Sequence, residues 1–411
     1  MTGVSNIPPD LSGEAWLQAH GAQAVFLALE AAGAEARAVG GAVRNSLLRQ
    51  QVADVDIATT ARPDKVVNAV EKAGLRAIPT GIDHGTISVL SNGELYEVTT
   101  LRQDVETFGR QARVVFGTDW LEDARRRDFT MNAIYVDRKG VIFDPLGGVT
   151  DCLEGRVRFI GDPEKRIRED YLRILRFFRI HATYGSGELD HEGLKASVSL
   201  KDGLDSLSAE RVSSELKRTF LASGAVGVLP VMGEAGILGA LLGDDIESSA
   251  YCALSELCRE VGEKISYGLS LAVLVEPQSA RLGALADKLK LSKADRDQML
   301  AAASACQDLC GCADGIKVPH LLYRHGRKAL IDGLLLFAAR QRGDVLSGEM
   351  LKSLLSDITA SQVPQFPLLG RDLLAAGVAA GPGLGAELAR LERLWSESNF
   401  KLSKSELLLH L

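Results

Sequence analysis

Apolar residues recur at helical spacing from Leu11 to Ala32 and stop at Gly33, so the pattern predicts an opening helix with a glycine just past its end. From there to about residue 100 the period changes. Short apolar runs at 37–39, 55–58, 87–90 and 95–99 read as strands, and the stretches 42–48 and 63–72 read as helices between them. Pro63 and Asp64 suit the first turn of the second helix. Asn92-Gly93, between two alternating runs, tolerates the positive φ angles of a type I′ turn and predicts a hairpin. A last pair of strands, 134–136 and 141–143 about Arg138-Lys139-Gly140, closes a small α/β module near residue 150.

Beyond that point the pattern is helical: a long helix over 162–182, another over 209–221, then Leu- and Ala-rich runs to the end with no fixed repeat. The most apolar stretch, 220–243, holds Pro230, Glu234 and six glycines, which divide it into two short core helices rather than a membrane span. The predicted architecture is an α/β head over 24–150 followed by an all-α neck over 151–222, body over 223–325 and tail over 326–411.

Composition adds limits. A chain of 411 residues exceeds one ordinary domain, and 46% hydrophobic with 25% charged residues excludes a disordered or disulfide-stapled chain. The net charge of −7 gives no long-range attraction to nucleic acid, so any RNA contact must come from local basic stripes. Six scattered cysteines and an N-terminus without a basic and apolar leader point to reduced thiols, a cytoplasmic protein and no membrane partner. Cys306, Cys310 and Cys312, with His320 and His325, lack the spacing of a zinc knuckle, and the first two fit one buried helix face. His84 reads as a turn histidine rather than a general base.

The sharpest chemical feature is Val39-Gly40-Gly41-Ala42-Val43-Arg44 followed by Asp54-Val55-Asp56. On a strand over 55–58, Asp54 and Asp56 share a face and could clasp one or two Mg²⁺ ions. Gly40 and Gly41 at a strand-to-helix turn let backbone N–H groups approach a phosphate, with Arg44 as its charge partner. Glu97 is placed toward the same sheet face as a third carboxylate; a cross-strand surface pair is the alternative. Arg125-Arg126-Arg127-Asp128 and Asn132 read either as a nucleotide clamp, guanidinium groups on the triphosphate and Asp128 or Asn132 on a ribose hydroxyl, or as a solvated basic run. Asp170, Arg173, Arg176 and Arg179 stand at three-residue steps on the 162–182 helix, forming either a stripe that faces a base edge or a surface row of ion pairs.

In that order VGGAVRNSLL, DVDIATT, YEVTTLRQD, RRDFTMNA, DPLGG, REDYLRILRFFR and LSAERVSSELKR resemble the class II tRNA nucleotidyltransferases, the CCA-adding enzymes and bacterial poly(A) polymerases of the polymerase β superfamily. The resemblance covers roughly residues 36–220. It implies catalytic Mg²⁺ on Asp54 and Asp56, the triphosphate on Gly41 and Arg44, the ribose at Arg127 and Asp128, and an amino-acid template for CTP and ATP at Asp170 and Arg173, with Arg176 and Arg179 continuing the face. The partners it implies are CTP, ATP and the acceptor stem and 3′ end of tRNA; no protein partner is expected. Asn45 departs from the Asp common after Val-Arg in that family. Other outcomes are poly(A) synthesis, CC-only or A-only addition, or an RNA-binding protein that has lost catalysis. Residues 101–118 retain Arg102, Asp104, Arg110 and Arg113, which favours the full CCA cycle, and no phosphohydrolase-type His-Asp pair follows near the C-terminus.

Overall fold

The computed structural model describes residues 10–82, 85–108, 111–311, 316–341 and 348–411. His84, Arg110 and Cys312 therefore lie outside the described residues. The chain divides into two compact units, one ending at Leu241 and the other starting at Leu242.

In the first unit, strands β1 (Ala36–Val39), β2 (Asp56–Thr59), β3 (Arg76–Gly81), β4 (Thr86–Ser91), β5 (Glu94–Thr100), β8 (Tyr135–Val136) and β9 (Ile142–Phe143) form a sheet in the order β3-β4-β5-β2-β1-β8-β9, while β6 (Arg102–Phe108) and β7 (Gln111–Phe116) make a separate hairpin. Only β2 and β5 run parallel; the other neighbours are antiparallel. The Asn92-Gly93 turn has φ of 52° and 82° and pairs Ser91 with Glu94, the predicted tight hairpin. Helices His20–Ala31 and Pro63–Lys72 pack together on β4. Val39, Ala58, Leu101, Trp120, Tyr135 and Ile160 are buried as one cluster that ties β1 and β2 to the segment after β7.

Three predicted elements differ. The opening helix is two, Ala15–Gln18 and His20–Ala31, because Ala19 turns to an extended ψ of 135°; the Gln23 amide donates to the freed Leu17 carbonyl at 2.8 Å, so the break leaves no orphan there. Strand β2 starts at Asp56, which leaves Asp54 and Val55 on the segment leading into it. The helix over 162–182 is also two, Pro163–Glu169 and Leu172–Tyr184, and Asp170 at the break is extended with φ −157° and ψ 108°. Asp170 caps the second piece: its carboxylate accepts from Leu172 N–H at 3.1 Å and its carbonyl from Arg173 N–H at 3.0 Å. A short acidic side chain that can bond the backbone this way favours a cap over a helix interior.

The apolar stretch around 220–243 forms two short helices, Ala225–Glu234 and Ile237–Leu242, and no helix among the described residues is long and apolar enough to cross a membrane. The described part of the second unit is helical, with Lys293–Cys310 packed on Arg327–Arg340 and an aromatic cluster of Tyr323, Phe366, Trp395 and Phe400 farther on. Cys306 and Cys310 do not share a buried face: Cys306 is buried and burial pushes its thiol up to about 12, while Cys310, one turn later at the helix end, is exposed. His320 Nε2 meets the Ser396 carbonyl at 2.9 Å and His325 Nε2 the Asp308 carboxylate at 2.7 Å.

Candidate active site

Strand β1 ends at Val39, opposite Asp56 at the start of β2, and the chain then turns at Gly40 into the helix Gly41–Leu47. Gly40 has φ 73° and ψ −120°, a conformation open to glycine and costly for any residue with a Cβ. A Cβ there would also stand 3.9 Å from Nη1 of Arg127. The turn at Gly40 thus stands next to Asp56 and within ordinary contact distance of Arg127.

Parallel pairing of β2 with β5 sets Asp56 level with Glu97, so the two carboxylates stand side by side on one sheet face. Partial desolvation raises the Asp56 carboxyl above its ordinary range, Glu97 and Asp54 raise it further, and Arg127 opposes them. Among the described residues no three acidic, His or Cys side chains converge closely enough to form a ready-made metal cluster. What stands here is a row of neighbouring carboxylates whose mutual repulsion a cation would relieve; hard oxygen donors of this kind suit Mg²⁺.

Beside Asp56 opens a cavity of about 580 Å³ lined by eight arginines and three aspartates, with Leu172 and Ile180 as its apolar wall. Most of these arginines are already paired. Arg126 and Arg127 both bind the buried Asp123, at 2.8 and 3.2 Å. Burial opposes the charge on Arg127, but Tyr135 and Asp123 more than offset it and its pKa rises. Arg179 pairs with buried Glu215 at 2.5 Å, Arg211 with Asp170 at 2.6 Å, Arg173 with Glu169, and Arg176 with Asp128.

Arg44 differs. It is buried, and its partners are all neutral: Asn132 Oδ1, Asn45 Oδ1 at 3.1 Å and the Tyr184 hydroxyl at 2.7 Å, with the guanidinium 3.8 Å from the Tyr184 ring centre. Its Nε has no partner among the described residues, and burial lowers its pKa. A buried cation without a carboxylate, on the wall of an arginine-rich cavity, calls for an anion from solution.

Asn132 links Arg44 to Asp128, accepting from the first and donating to the second at 3.0 Å. Asp128 also accepts from Phe129 N–H at 2.9 Å and twice from Arg176, so its four acceptor positions are filled. A ribose hydroxyl reaches Asp128 only by displacing one of these. Arg176, Asn132 and the Phe129 N–H hold the Asp128 carboxyl well below the ordinary range in spite of its burial. A depressed pKa contributes stability above the ordinary carboxylate range and loses it as pH falls through the native value. Asp128→Asn, which takes the charge from this half-buried pair, is therefore expected to cost about 1.5–3 kcal/mol near neutral pH, the worth of a charge-assisted hydrogen bond partly screened by solvent. In chemical denaturation the deficit should narrow below about pH 3.9, where an ordinary carboxylate protonates.

On the neck, Asp170 and Arg173 both line the cavity but are not paired to one another. Arg173 directs Nη1 to Glu169 and to the Arg166 carbonyl. Of the thirteen residues singled out in the sequence, eleven line this cavity: Gly40, Gly41, Arg44, Asp56, Arg127, Asp128, Asn132, Asp170, Arg173, Arg176 and Arg179. Asp54 and Glu97 sit outside the lining, next to Asp56. Of the arginine run expected to clamp a nucleotide, Arg126 also lines the wall, whereas Arg125 is exposed and pairs with Glu122; passed over in the sequence were Arg211 and Arg218 on the wall and Tyr184 beneath Arg44. Arg211 and Arg218 lie in the LSAERVSSELKR segment, whose helical pattern carries no local sign of which charges turn inward.

Residues 36–158 match the Poly A polymerase head domain. The chain is 33% identical over 380 residues to the mitochondrial CCA tRNA nucleotidyltransferase 1 of Mus musculus, covering 91% of this chain and 86% of that protein. It is 31% identical over 375 residues to the CCA-adding enzyme of Leuconostoc citreum, covering 90% of each. The solved structure of the Bacillus stearothermophilus CCA-adding enzyme in complex with CTP matches with a TM-score of 0.71 and 26% identity over 95% of both chains. With this identity spanning head and helical region alike, the chain belongs to the family of the CCA-adding tRNA nucleotidyltransferases.

Proposed function

We propose that this protein adds C, C and A to the 3′ end of tRNA from CTP and ATP, without a nucleic-acid template, releasing pyrophosphate, with Mg²⁺ as cofactor and in the cytoplasm. The observation that carries the reading is the uncompensated guanidinium of Arg44 in an arginine-lined cavity that opens beside Asp56. The thiols of the described cysteines are free, as suits a reducing compartment.

Asp54 and Asp56 would hold the cation, with Glu97 beside them. Bound there, Mg²⁺ supplies Lewis acidity for the attacking hydroxyl and neutralises charge on the leaving pyrophosphate. The protein does the rest by placement. Arg44 and Arg127, with the Gly40–Gly41 backbone, grip the triphosphate. Asp128 and Asn132 frame that grip by fixing Arg176 and Arg44. Asp170 accepts and Arg173 donates, which matches the exocyclic amino group and ring nitrogen acceptor shared by C and A; U and G present the reverse.

The nucleotide-binding part of the reading is tested on Arg44. Arg44→Met should weaken CTP and ATP binding about ten- to a hundredfold, the loss of one or two charge-assisted hydrogen bonds. Thermal denaturation reports it: a nucleotide excess that raises the Tm of the wild type should barely move the variant. Equal Tm shifts in both would remove Arg44 from the triphosphate site.

Body 223–325 and tail 326–411 we assign to the tRNA acceptor stem, gripped through phosphates and A-form shape because one enzyme serves many tRNAs. Truncation belongs after Leu241 rather than near residue 225, since the helix Ala225–Glu234 packs on Leu172–Tyr184 within the first unit. The shortened protein should retain CTP binding and lose at least about tenfold in tRNA affinity, and full-length affinity should fall steeply with salt. Undiminished tRNA affinity of the shortened protein at one salt concentration would give the second unit another purpose.

A further inference from the structure

One arginine outside the cavity touches both of its functional arms. Arg166, buried in the helix Pro163–Glu169, donates through Nη2 to the carbonyl oxygens of Arg126 at 2.5 Å and Arg127 at 2.7 Å. Its Nη1 pairs with Glu169, and the same Glu169 oxygen receives Nη1 of Arg173. The Arg166 carbonyl accepts that Arg173 Nη1 as well, at 2.6 Å. Side chain and backbone of one residue therefore fix both the segment bearing the triphosphate arginines and the guanidinium that faces the base.

We propose that Arg166 is a positioning residue that sets the distance between the triphosphate grip and the base-reading Arg173, so that base selection depends on a side chain that never meets the nucleotide. Two features require an arginine here. The planar fork reaches two successive carbonyls with one nitrogen and a carboxylate with the other, which a lysine ammonium cannot span. The helix ends at Glu169 with Asp170 extended, so no continuous helical ladder fixes Arg173 relative to Arg166. The Arg166–Glu169–Arg173 link bridges that break. When the triphosphate is held at Arg127, the position of Arg173 against the base then follows from Arg166, and a displacement of about 1 Å is enough to cost two orders of magnitude in a positioned reaction.

The inference rests on the base-reading role proposed for Arg173, and the experiment separates the two. Single-turnover rates with CTP, ATP, UTP and GTP are measured on tRNA for the wild type, Arg166→Lys, Arg166→Gln, Glu169→Gln, Arg173→Ala and the double variant Arg166→Gln/Arg173→Ala, with circular dichroism and Tm as folding checks. Arg166→Gln should reduce the preference for CTP and ATP over UTP and GTP about ten- to a hundredfold, with Arg166→Lys and Glu169→Gln showing part of that loss. The double variant should discriminate no worse than Arg173→Ala alone, because both act through one guanidinium. Loss of discrimination in Arg173→Ala with preference intact in Arg166→Gln and Glu169→Gln would overturn the inference and leave the base-reading role standing. If Arg173→Ala itself keeps the wild-type preference, the base-reading role fails and the inference falls with it. Should Arg166→Gln not fold, Arg166→Lys and Glu169→Gln decide by the same criterion.

Discussion

Asp56→Ala is expected to lower nucleotide addition by at least about a thousandfold while leaving a folded protein that still binds tRNA. The magnitude follows from the several kcal/mol of transition-state charge that a cation held by this carboxylate neutralises. Little folding stability should be lost, because Asp56 lies at the exposed start of β2 and is crowded by Glu97 and Asp54 in the absence of a cation. Removal of one of three neighbouring carboxylates relieves repulsion. Asp54→Ala should behave alike, although Asp54 precedes the strand rather than belonging to it. Rapid-quench rates at saturating nucleotide, with Mg²⁺ titrated, check both. Retained addition by a folded Asp56→Ala protein would show that the cation is held elsewhere.

The second large effect is on the choice of base. Asp170→Ala and Arg173→Ala should each lose about 1–3 kcal/mol of discrimination, admitting UTP or GTP while slowing CTP and ATP. The two are not equivalent. Asp170 also accepts from Arg211 at 2.6 Å and caps the helix Leu172–Tyr184, so its loss should lower Tm as well as fidelity. Arg173 is bound through Nη1, and its loss should spare Tm more. Unchanged NTP preference in both variants, measured in single turnovers, would make the arginine stripe a structural device.

The part of the site that was legible in the sequence is the part written in short spacings. Gly40-Gly41 before a helix, Asp-x-Asp at a strand and the RRD run are each legible within a few residues, and the cavity gathers the glycines, Asp56 and the Arg126-Arg127-Asp128 run, with Asp54 just outside its lining. Strand pairing placed Glu97 beside Asp56, which periodicity indicated only as a shared face. Harder to read were features decided by partners far along the chain. Arg44 is held by Tyr184, 140 positions away, and Asp170, extended between the two helices, accepts from Arg211, 41 positions on. The strand Arg76–Gly81 was hidden by Pro79 and weak alternation, and the β6–β7 hairpin by its polar sequence; both form by pairing at the margin of the head, where side-chain pattern says least. The expected single helix over 162–182 failed for the same reason that makes the region useful. An aspartate that caps the following helix also faces the cavity.

If one protein cavity, without a nucleic-acid template, directs the order C, C, A on a tRNA end, the missing nucleotide alone decides what is added. This is tested most directly by supplying each NTP separately to tRNAs that lack all three, the last two, or only the last of these nucleotides, and sequencing the products. Two cytidines and no more are expected on the first substrate with CTP, one cytidine on the second, and one adenosine on the third with ATP, with UTP and GTP inert on all three. Long adenosine tracts irrespective of the starting end, or addition that ignores which nucleotide is missing, would contradict this.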